Sequence, residues 1–434
     1  MLLLKILVAV LFLILAGGKL KWHPFFTLLL AATGLGFLIG LDGQEVIAVI
    51  KAGFGGLIGN VGLLIVLGSI IGVALERSGA ARRIADVVLG SGSAPGLRLV
   101  VLGAIISVPV FCDSGFIILA SLLPAVALRS GGKLAPLALS LAGGLYLTHT
   151  LIPPTPGPLA AAANLGADDF VGTIMFFGAI ISLPVIFVTW KASEWLGRGI
   201  EATVTESSQE DAPLPPLMKS LLPLLIPILL IGLGSVLKLT MDVTTTPVSY
   251  IYWWCSPTVA LALGCIPALL LPSQEGKTGW ISDGLGLAGP ILIITGLGGA
   301  FGAVIKASSL ADDVIGWVGD EPLSFTTLIL LGFAIAALLK TAQGSSTGAL
   351  VISSGIMAPL LPLAGVESAT ELALMTLAIG GGAMTISHAN DSYFWVVSRF
   401  SGIEVNDAYK SYTPLTAVMG LTVLVCVLVL SVLV

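Results

Sequence analysis

The stretch THTLIPPTPGP, residues 148–158, interrupts a long apolar segment with four prolines and one glycine. Proline has no backbone N–H, and its ring clashes with the preceding helical turn, so a helix cannot run through this stretch. Inside a lipid bilayer, non-helical backbone is tolerated only where it lines a cavity or packs against protein. We therefore predict that a transmembrane helix opens here onto a polar cavity near the middle of the membrane.

The composition around this stretch is that of a membrane protein. Of 434 residues, 56% are hydrophobic and only 10% are charged, whereas soluble domains contain about 25% charged residues. The net charge of −5 includes no basic cluster, which argues against a nucleic-acid partner. The sequence contains no P-loop, HExxH or GxSxG motif, and its four cysteines form no CxxC pair. These absences predict that the protein is not an enzyme and needs no cofactor or resident metal.

Hydrophobic runs of about 20 residues predict an all-α polytopic fold. Two further apolar stretches, 96–128 and 324–365, are too long for one helix, and FCDSGF (111–116) and QGSSTGA (343–349) interrupt them. We interpret each as a re-entrant hairpin with its tip at the interruption. The ten predicted crossings are 2–18, 24–41, 57–75, 134–158, 170–192, 219–238, 249–271, 284–306, 371–400 and 413–433.

Basic residues predict the orientation in the membrane, because cytoplasmic loops are enriched in Lys and Arg. They occur at 19–21, at 77–83 and on both sides of the first hairpin. This pattern puts both termini outside and the polar segment 193–218 in the cytoplasm. That segment is rich in Glu, Ser and Pro, which is typical of a linker. We therefore predict a first membrane repeat at 1–192, a cytoplasmic linker at 193–218 and a second membrane repeat at 219–434.

The two halves can be aligned as an inverted repeat. LSLAGGLYLTH (139–149) matches LAIGGGAMTISH (377–388), with Gly143 opposite Gly382. The first break then corresponds to SHANDSYFW (387–395) in the second half. Each half has five crossings and one hairpin, and because five is odd the second copy starts on the opposite side. Transporters built from inverted repeats bind substrate near the midplane, between paired broken helices.

Charged residues at the hairpin tips are candidate functional groups. Asp113 lies at the first tip, where a carboxylate must be paired, protonated or functional; a simple helix cap is the alternative. Lys340 lies six residues before Ser346, too deep for easy snorkelling. It is expected either to contact a substrate carboxylate or to pair with Asp113. His149 and His388 occupy matched positions and could exchange protons or merely pack.

These considerations predict two sets of site residues. Helix N-termini that restart after the breaks favour an anion, and hydroxyl and amide side chains would hold the other polar groups of a substrate. The predicted substrate-binding residues are Lys340, Ser345, Ser346, Thr347, Thr148, Thr150, Thr155, Ser387 and Asn390. The predicted ion-coupling residues are Asp113, His149, His388 and Asp391.

At these motifs the chain resembles the gluconate permease family, or gluconate:proton symporters, of the ion-transporter superfamily. The resemblance extends over most of the chain and is most specific in THTLIPPTPGP, GGAFGAVIKASSLAD (298–312), QGSSTGALV and SHANDSYFW. It implies uptake of small sugar acids or hydroxy acids across the bacterial inner membrane, an elevator-like movement and a possible homodimer. The family has PPHPGP where this chain has Thr155, and SHVNDPGFW where it has SHANDSYFW, so the substrate need not be gluconate.

The leading hypothesis is therefore secondary active uptake of a small carboxylate. Protons or sodium ions could supply the coupling, and the matched histidines favour protons. The first alternative is a cation/proton antiporter or organic-anion exchanger of the same fold, with Asp113 and Asp391 as its two carboxylates. The second is an intramembrane enzyme, for which the same polar groups would have to supply the catalytic residues.

Overall fold

The computed structural model describes residues 2–16, 20, 22–89, 94–120, 122–202, 214–241, 243, 245–272, 277–308, 323–388 and 391–433, and these are α-helical with no strand. The first half contains α1 (Leu2–Ile14), α2 (Pro24–Ile39), α3 (Gly43–Arg77), α4 (Ala80–Leu89), α5 (Pro95–Ile106), α6 (Cys112–Ala120), α7 (Leu123–Ser130), α8 (Leu134–Leu151), α9 (Pro156–Asn164) and α10 (Val171–Leu196).

The second half is also entirely helical in its described residues. Its elements are α11 (Leu217–Thr240), α12 (Thr246–Cys255), α13 (Pro257–Leu269), α14 (Lys277–Lys306), α15 (Phe325–Gln343), α16 (Ser346–Met357), α17 (Ala369–Met384), α18 (Ser392–Ser401) and α19 (Val405–Leu433). The all-α polytopic class is confirmed.

Among the described residues, eight helical spans are long and apolar enough to cross a membrane, or nine if the bent pair α12–α13 is one span. Three of the ten predicted crossings do not meet that length. The run 2–18 gives a described helix of 13 residues, and 24–41 gives one of 16 that ends at Gly40 in the left-handed conformation (φ 101°). The run 371–400 is divided by the second break.

The two hairpin stretches differ in length. The arms of the first are α5 and α6, with 12 and 9 residues. Those of the second have 19 residues each, Phe325–Gln343 and Ser346–Ala364, the latter including a 3-10 segment. The second break, at Gly344–Ser345, lies inside QGSSTGA as predicted. The first lies between Ile106 and Cys112, mostly before FCDSGF (111–116), because residues 112–116 already belong to α6. That either hairpin enters and leaves on one side stays a prediction.

The helices pack as two groups. In the long-helix group, α1–α3 pack with α11–α14, and α3 crosses α14 so closely that a Cβ on Gly53 would lie 2.6 Å from the Gly299 carbonyl oxygen. In the hairpin group, α5–α10 pack with α15–α19. Within it, α6 contacts α18 of the other half, and α16 contacts α9. The second arm of each hairpin thus packs on the broken helix of the opposite half.

Glycines set the packing of each broken helix on the first arm of its hairpin. A Cβ on Gly144 would lie 2.1 Å from the Val100 carbonyl oxygen, and one on Gly382 would lie 2.3 Å from that of Phe333. Gly144 and Gly382 therefore make the same kind of close contact, whereas the sequence alignment pairs Gly143 with Gly382; the inverted repeat itself stays a prediction. The sequence alignment was anchored on His149 and His388, but α17 has already ended at Met384, and the break takes up the extra residue.

The two breaks are opened by different means. In the first, α8 ends at Leu151 and α9 begins at Pro156, with prolines in the residues between. In the second, residues 385–391 contain no proline. Hydroxyl groups of α19 bond the freed backbone there: Thr416 Oγ1 accepts from the Ser387 N–H (3.0 Å), and Thr413 Oγ1 donates to the Ser387 carbonyl (2.6 Å). Such partners replace the helical hydrogen bonds that water cannot supply in this interior.

Candidate substrate site

A cavity of about 330 Å³ lies where both hairpin tips meet the start of α18. Side chains from α8 and α14 complete its wall, so both helix groups contribute to it. Its volume is in the range of pockets that hold small molecules. The lining residues are Phe111, Cys112, Asp113, Tyr146, His149, Ile291, Ile294, Gln343, Gly344, Ser345, Ser346, Thr347, Asp391, Ser392 and Tyr393.

The second hairpin tip presents a helix N-terminus and hydroxyl groups to this cavity. Ser345 caps α16, since its hydroxyl accepts from the Gly348 N–H at 3.0 Å. The Ser346 hydroxyl lies 2.6 Å from the Tyr146 hydroxyl. The first turn of α16 contains no acidic residue. Its positive dipole end is therefore not neutralised from within the helix, which suits an anionic group.

Lys340 is fully buried behind this tip, and its ammonium group pairs with Asp391. Its Nζ lies 2.5 Å from Asp391 Oδ2 and donates to the Gly344 carbonyl at 2.6 Å. The expected alternative partner, Asp113, is not the one found. Lys340 is also not among the residues that line the cavity. A buried ion pair of this kind is stable only when further hydrogen bonds satisfy both groups.

Those further bonds come from the second break. The Ser387 hydroxyl donates to Asp391 Oδ2, and Asp391 Oδ1 accepts from the Tyr393 N–H at 3.1 Å, so Asp391 is also the N-cap of α18. Ser387 thus supports the ion pair and has no exposed surface. Asn390, also predicted to bind substrate, lies outside the described residues.

Asp113 is incompletely bonded. Its Oδ1 atom is buried without a hydrogen-bond partner, and the Cys112 thiol approaches Oδ2 at 3.7 Å. The Ser392 side chain also bonds this carboxyl group, and Asp391 is a second negative charge near it. An unsatisfied carboxyl oxygen at a cavity wall is a functional-site candidate.

The two matched histidines have different surroundings. His149 lines the main cavity and a small one of about 10 Å³ beside Pro154 and Thr155; its Nδ1 has no hydrogen-bond partner. Its ring lies 6.1 Å from that of Phe111. His388 instead bonds the Thr341 carbonyl through Nε2 (2.8 Å) and does not line the cavity.

The three predicted threonines of the first half bond to backbone. The Thr148 hydroxyl donates to the Ala104 carbonyl at 2.8 Å, towards α5. That of Thr150 bonds the Tyr146 carbonyl one turn earlier, and that of Thr155 bonds Ile152 at 2.6 Å. None lines the main cavity.

Two tyrosines of the cavity wall, Tyr146 and Tyr393, are not among the predicted site residues. The Tyr146 and Tyr393 rings lie 5.4 Å apart, and the Tyr393 hydroxyl donates to the Ala142 carbonyl at 3.1 Å. Both are buried, and both occur inside motifs that were quoted for other reasons. A phenol hydroxyl in an apolar helix needs a partner, and that need was the available signal.

Known proteins resemble this chain along its whole length. The profile of the GntP family permeases matches residues 1–433. A gluconate permease of Pseudomonas aeruginosa is 29% identical, with 99% of this chain and 97% of that protein covered. The D-serine transporter DsdX of Escherichia coli K12 is also 29% identical, with 98% and 97% covered.

Among solved structures, the YdaH transporter of Alcanivorax borkumensis is similar with a TM-score of 0.69 at 16% identity. The similarity covers 95% of this chain and 99% of that one, and it shows a shared fold. The profile match over residues 1–433, together with the relatives named as permeases and transporters, shows that the chain belongs to the GntP family of permeases and is a multi-pass membrane transporter, not an enzyme.

Proposed function

We propose that this protein is a secondary active transporter that takes up a small sugar acid or hydroxy acid, coupled to a cation gradient, with protons as the coupling ion. The observation that carries the proposal is the cavity between the hairpin tips, where the N-terminus of α16 and its hydroxyl groups face Asp113. The similar proteins named for gluconate and D-serine support a small, hydroxylated carboxylate.

In this proposal the carboxylate of the substrate binds at the N-terminus of α16, through Ser345, Ser346 and Thr347. Lys340 supports the site from behind, since it holds both Gly344 and Asp391. Tyr146, bonded to Ser346, would hold substrate hydroxyls together with the Gln343 amide on the same wall.

An elevator-like movement of the hairpin group against the long-helix group would expose the cavity to each side. Where α14 meets α16, Gly302 faces Gly355 with no side chain between the two backbones, which supports sliding. A second cavity of about 290 Å³ between the groups is lined by Asn60 and Asn164.

The movement can be tested by replacing Asn60 and Asn164 with cysteines and bridging them with a bifunctional thiol reagent. The bridged protein should no longer take up substrate. Uptake at an undiminished rate after bridging would exclude the movement.

The orientation belongs to the same proposal: both termini outside the bacterial inner membrane and the linker 193–218 in the cytoplasm. A Thr205→Cys variant should react with an impermeant maleimide in inside-out vesicles and not in intact cells. The reverse pattern would invert the orientation.

The decisive experiment is uptake by purified protein in liposomes. Labelled gluconate, glycerate and lactate are offered under imposed proton or sodium gradients, with protein-free liposomes as the control. Uptake of at least one acid under a gradient is expected, and no uptake of any acid would refute the proposed function.

A matched pair of variants tests the binding geometry. Thr347→Val keeps the shape of the side chain but removes a hydroxyl from the cavity wall, and should weaken binding of the transported acid about tenfold or more, as expected for a lost hydrogen bond to a charged group. Thr376→Val removes a buried hydroxyl of α17 that bonds Leu372 outside the cavity, and should leave binding unchanged. Equal affinities in a thermal-shift titration of both variants would place the substrate elsewhere.

Cation/proton antiport or organic-anion exchange is the second candidate, because Asp113 and Asp391 both line the cavity. Cation exchange reported by a pH-sensitive dye, in vesicles without organic substrate, would favour antiport over symport.

A further inference from the structure

The charges at the cavity do not balance. Asp113 and Asp391 contribute two carboxylates to its wall, and Lys340 is the one ammonium group that contacts either of them among the described residues. Lys340 is fully buried and bonded to Asp391 and to the Gly344 carbonyl, so the Lys340–Asp391 ion pair has no net charge and Lys340 has no exposed surface. The wall therefore retains one uncompensated carboxyl group, that of Asp113.

Asp113 differs from Asp391 in how its oxygens are bonded. Both oxygens of Asp391 accept hydrogen bonds, from Lys340, Ser387 and the Tyr393 N–H. For Asp113, Oδ1 is buried without a partner, and the donors to this carboxyl group are the weak Cys112 thiol, the Ser392 side chain and its own backbone N–H. An oxygen without a donor is where a proton can reside, since a protonated carboxyl then donates to an acceptor in the cavity.

An anionic substrate makes that proton necessary. A monocarboxylate at the N-terminus of α16 would share the cavity with an ionised Asp113, and like charges so close together repel each other. With Asp113 protonated, the repulsion is removed and the carboxyl group can donate a hydrogen bond to the substrate. Substrate and proton therefore favour each other's binding, so the carrier that holds the substrate also holds the proton.

From this geometry we infer that Asp113 carries the coupling proton, one for each substrate monoanion, while the Lys340–Asp391 pair is a fixed structural element. The inference rests on the proposed function. The proton enters from the outer solution onto the Asp113 carboxylate, crosses with the substrate and is released into the inner solution. The cavity then has the same net charge when loaded with proton and anion as when it is empty, so transport is electroneutral.

Other titratable groups around α6 are less suited to this role. From α8, Tyr146 and His149 line the cavity; from α18, Asp391 and Tyr393 do. From α3, Glu76 bonds Ser114 and not Asp113. The charged residues of α4, which also packs on α6, lie outside the cavity wall; they are Arg82, Arg83 and Asp86.

His149 is the main rival, since it too faces the cavity with an unbonded nitrogen. A protonated histidine, however, would leave three separate charges in the cavity: the imidazolium, ionised Asp113 and the substrate. Protonated Asp113 is neutral and leaves only the substrate charge. Because each isolated charge is costly to bury, the second arrangement is favoured.

The test uses proteoliposomes of the full chain and whichever of gluconate, glycerate or lactate the wild type takes up. A gradient of one pH unit, acid outside, should drive accumulation of up to roughly tenfold for one proton per anion. A potassium diffusion potential set with valinomycin should have no effect. Accumulation that responds to the potential would overturn the inference even if no variant can be purified, whereas absence of any wild-type uptake would refute the proposed function itself.

Three variants locate the proton. Asp113→Asn should still exchange labelled for unlabelled acid, no longer accumulate it under the pH gradient, and become sensitive to an inside-positive potential, because the anion now crosses alone. Asp113→Glu should retain proton-driven accumulation. His149→Gln should also retain it, whatever its uptake rate. Proton-driven accumulation by Asp113→Asn, or its loss in His149→Gln alone, would overturn the assignment.

Discussion

The two breaks in the hairpin group perform the same geometric task with different chemistry. At the first, prolines open the helix, and the side chain that precedes the restarting helix, Thr155, bonds only to nearby backbone. At the second, the equivalent residue is Asp391, which caps α18 and pairs with Lys340 of the adjacent hairpin. The first break is thus neutral and locally determined, whereas the second depends on a charge from 51 residues away. Among the residues that the structure describes, the ion pair thus belongs to the second break and has no counterpart at the first.

The largest expected effect comes from removing the acid of the second break. Asp391→Ala should lower the free energy of unfolding by about 3–5 kcal/mol, because it leaves the Lys340 ammonium buried without a counter-charge. The measurement is an SDS titration of the purified protein in mixed micelles.

An exposed ion pair provides the matched control. Arg77 and Asp283 lie 2.6 Å apart, with side chains 44% and 45% exposed, so Asp283→Ala should cost no more than about 1 kcal/mol. The double variant Lys340→Met with Asp391→Leu should recover most of the loss, since it buries no charge. If Asp391→Ala costs no more than Asp283→Ala, the contrast between the two breaks disappears.

An intermediate effect is expected at two glycines, one in each half, that make the same kind of close contact. Gly144→Ala and Gly382→Ala each force a methyl group against a backbone carbonyl of the neighbouring hairpin arm. Both should be destabilised by about 1–3 kcal/mol, as for other overpacked interiors. Thermal unfolding followed by loss of monodisperse protein would compare them.

Gly59→Ala is the control, since nothing lies within 4 Å of an added Cβ; it should be neutral or slightly stabilising, by up to about 1 kcal/mol. A large loss for one of the two packed glycines and none for the other would mean that the halves do not share this contact.

The smallest effect is expected at the first break. Thr155→Val removes one hydroxyl that bonds the Ile152 carbonyl, and should cost about 1 kcal/mol, well below the loss predicted for Asp391→Ala. Unfolding in the same SDS titration measures it. A loss comparable to that of Asp391→Ala would show that the first break also depends on its side chain.

Much of the frame followed from local rules. Prolines 153–158 required an opening in the first half whatever surrounded them, and the glycine-containing stretch 343–349 contains the observed break of the second hairpin stretch. The first hairpin stretch breaks a few residues earlier than predicted, before Cys112. Of the predicted site residues, six line the cavity, namely Asp113, His149, Ser345, Ser346, Thr347 and Asp391. These residues lie at the start of a helix or opposite a hairpin tip. At such places the position of a residue in the sequence largely determines whether its side chain lies near the cavity.

The remaining predictions depended on how the helices are rotated. Thr148 and Thr150 lie on the same helix as His149, yet their hydroxyls bond to backbone away from the cavity. His388 aligns with His149 in sequence, but its ring contacts the hairpin arm instead. Rotation about a helix axis is set by packing, here by Gly144 and Gly382 against neighbouring carbonyls, and an all-round apolar helix gives no periodic signal of it.

By itself, the sequence determined that this protein resides in a membrane, that its helices open at two places and that two further apolar stretches are interrupted by polar residues. Composition, proline sterics and backbone hydrogen bonding impose these features locally. Only the tertiary structure decided that Lys340 pairs with Asp391 and leaves Asp113 incompletely bonded. Whether Lys340 pairs with Asp391 or with Asp113 depends on distances of a few ångströms across the fold, because Coulomb energies in a buried site change steeply over such distances.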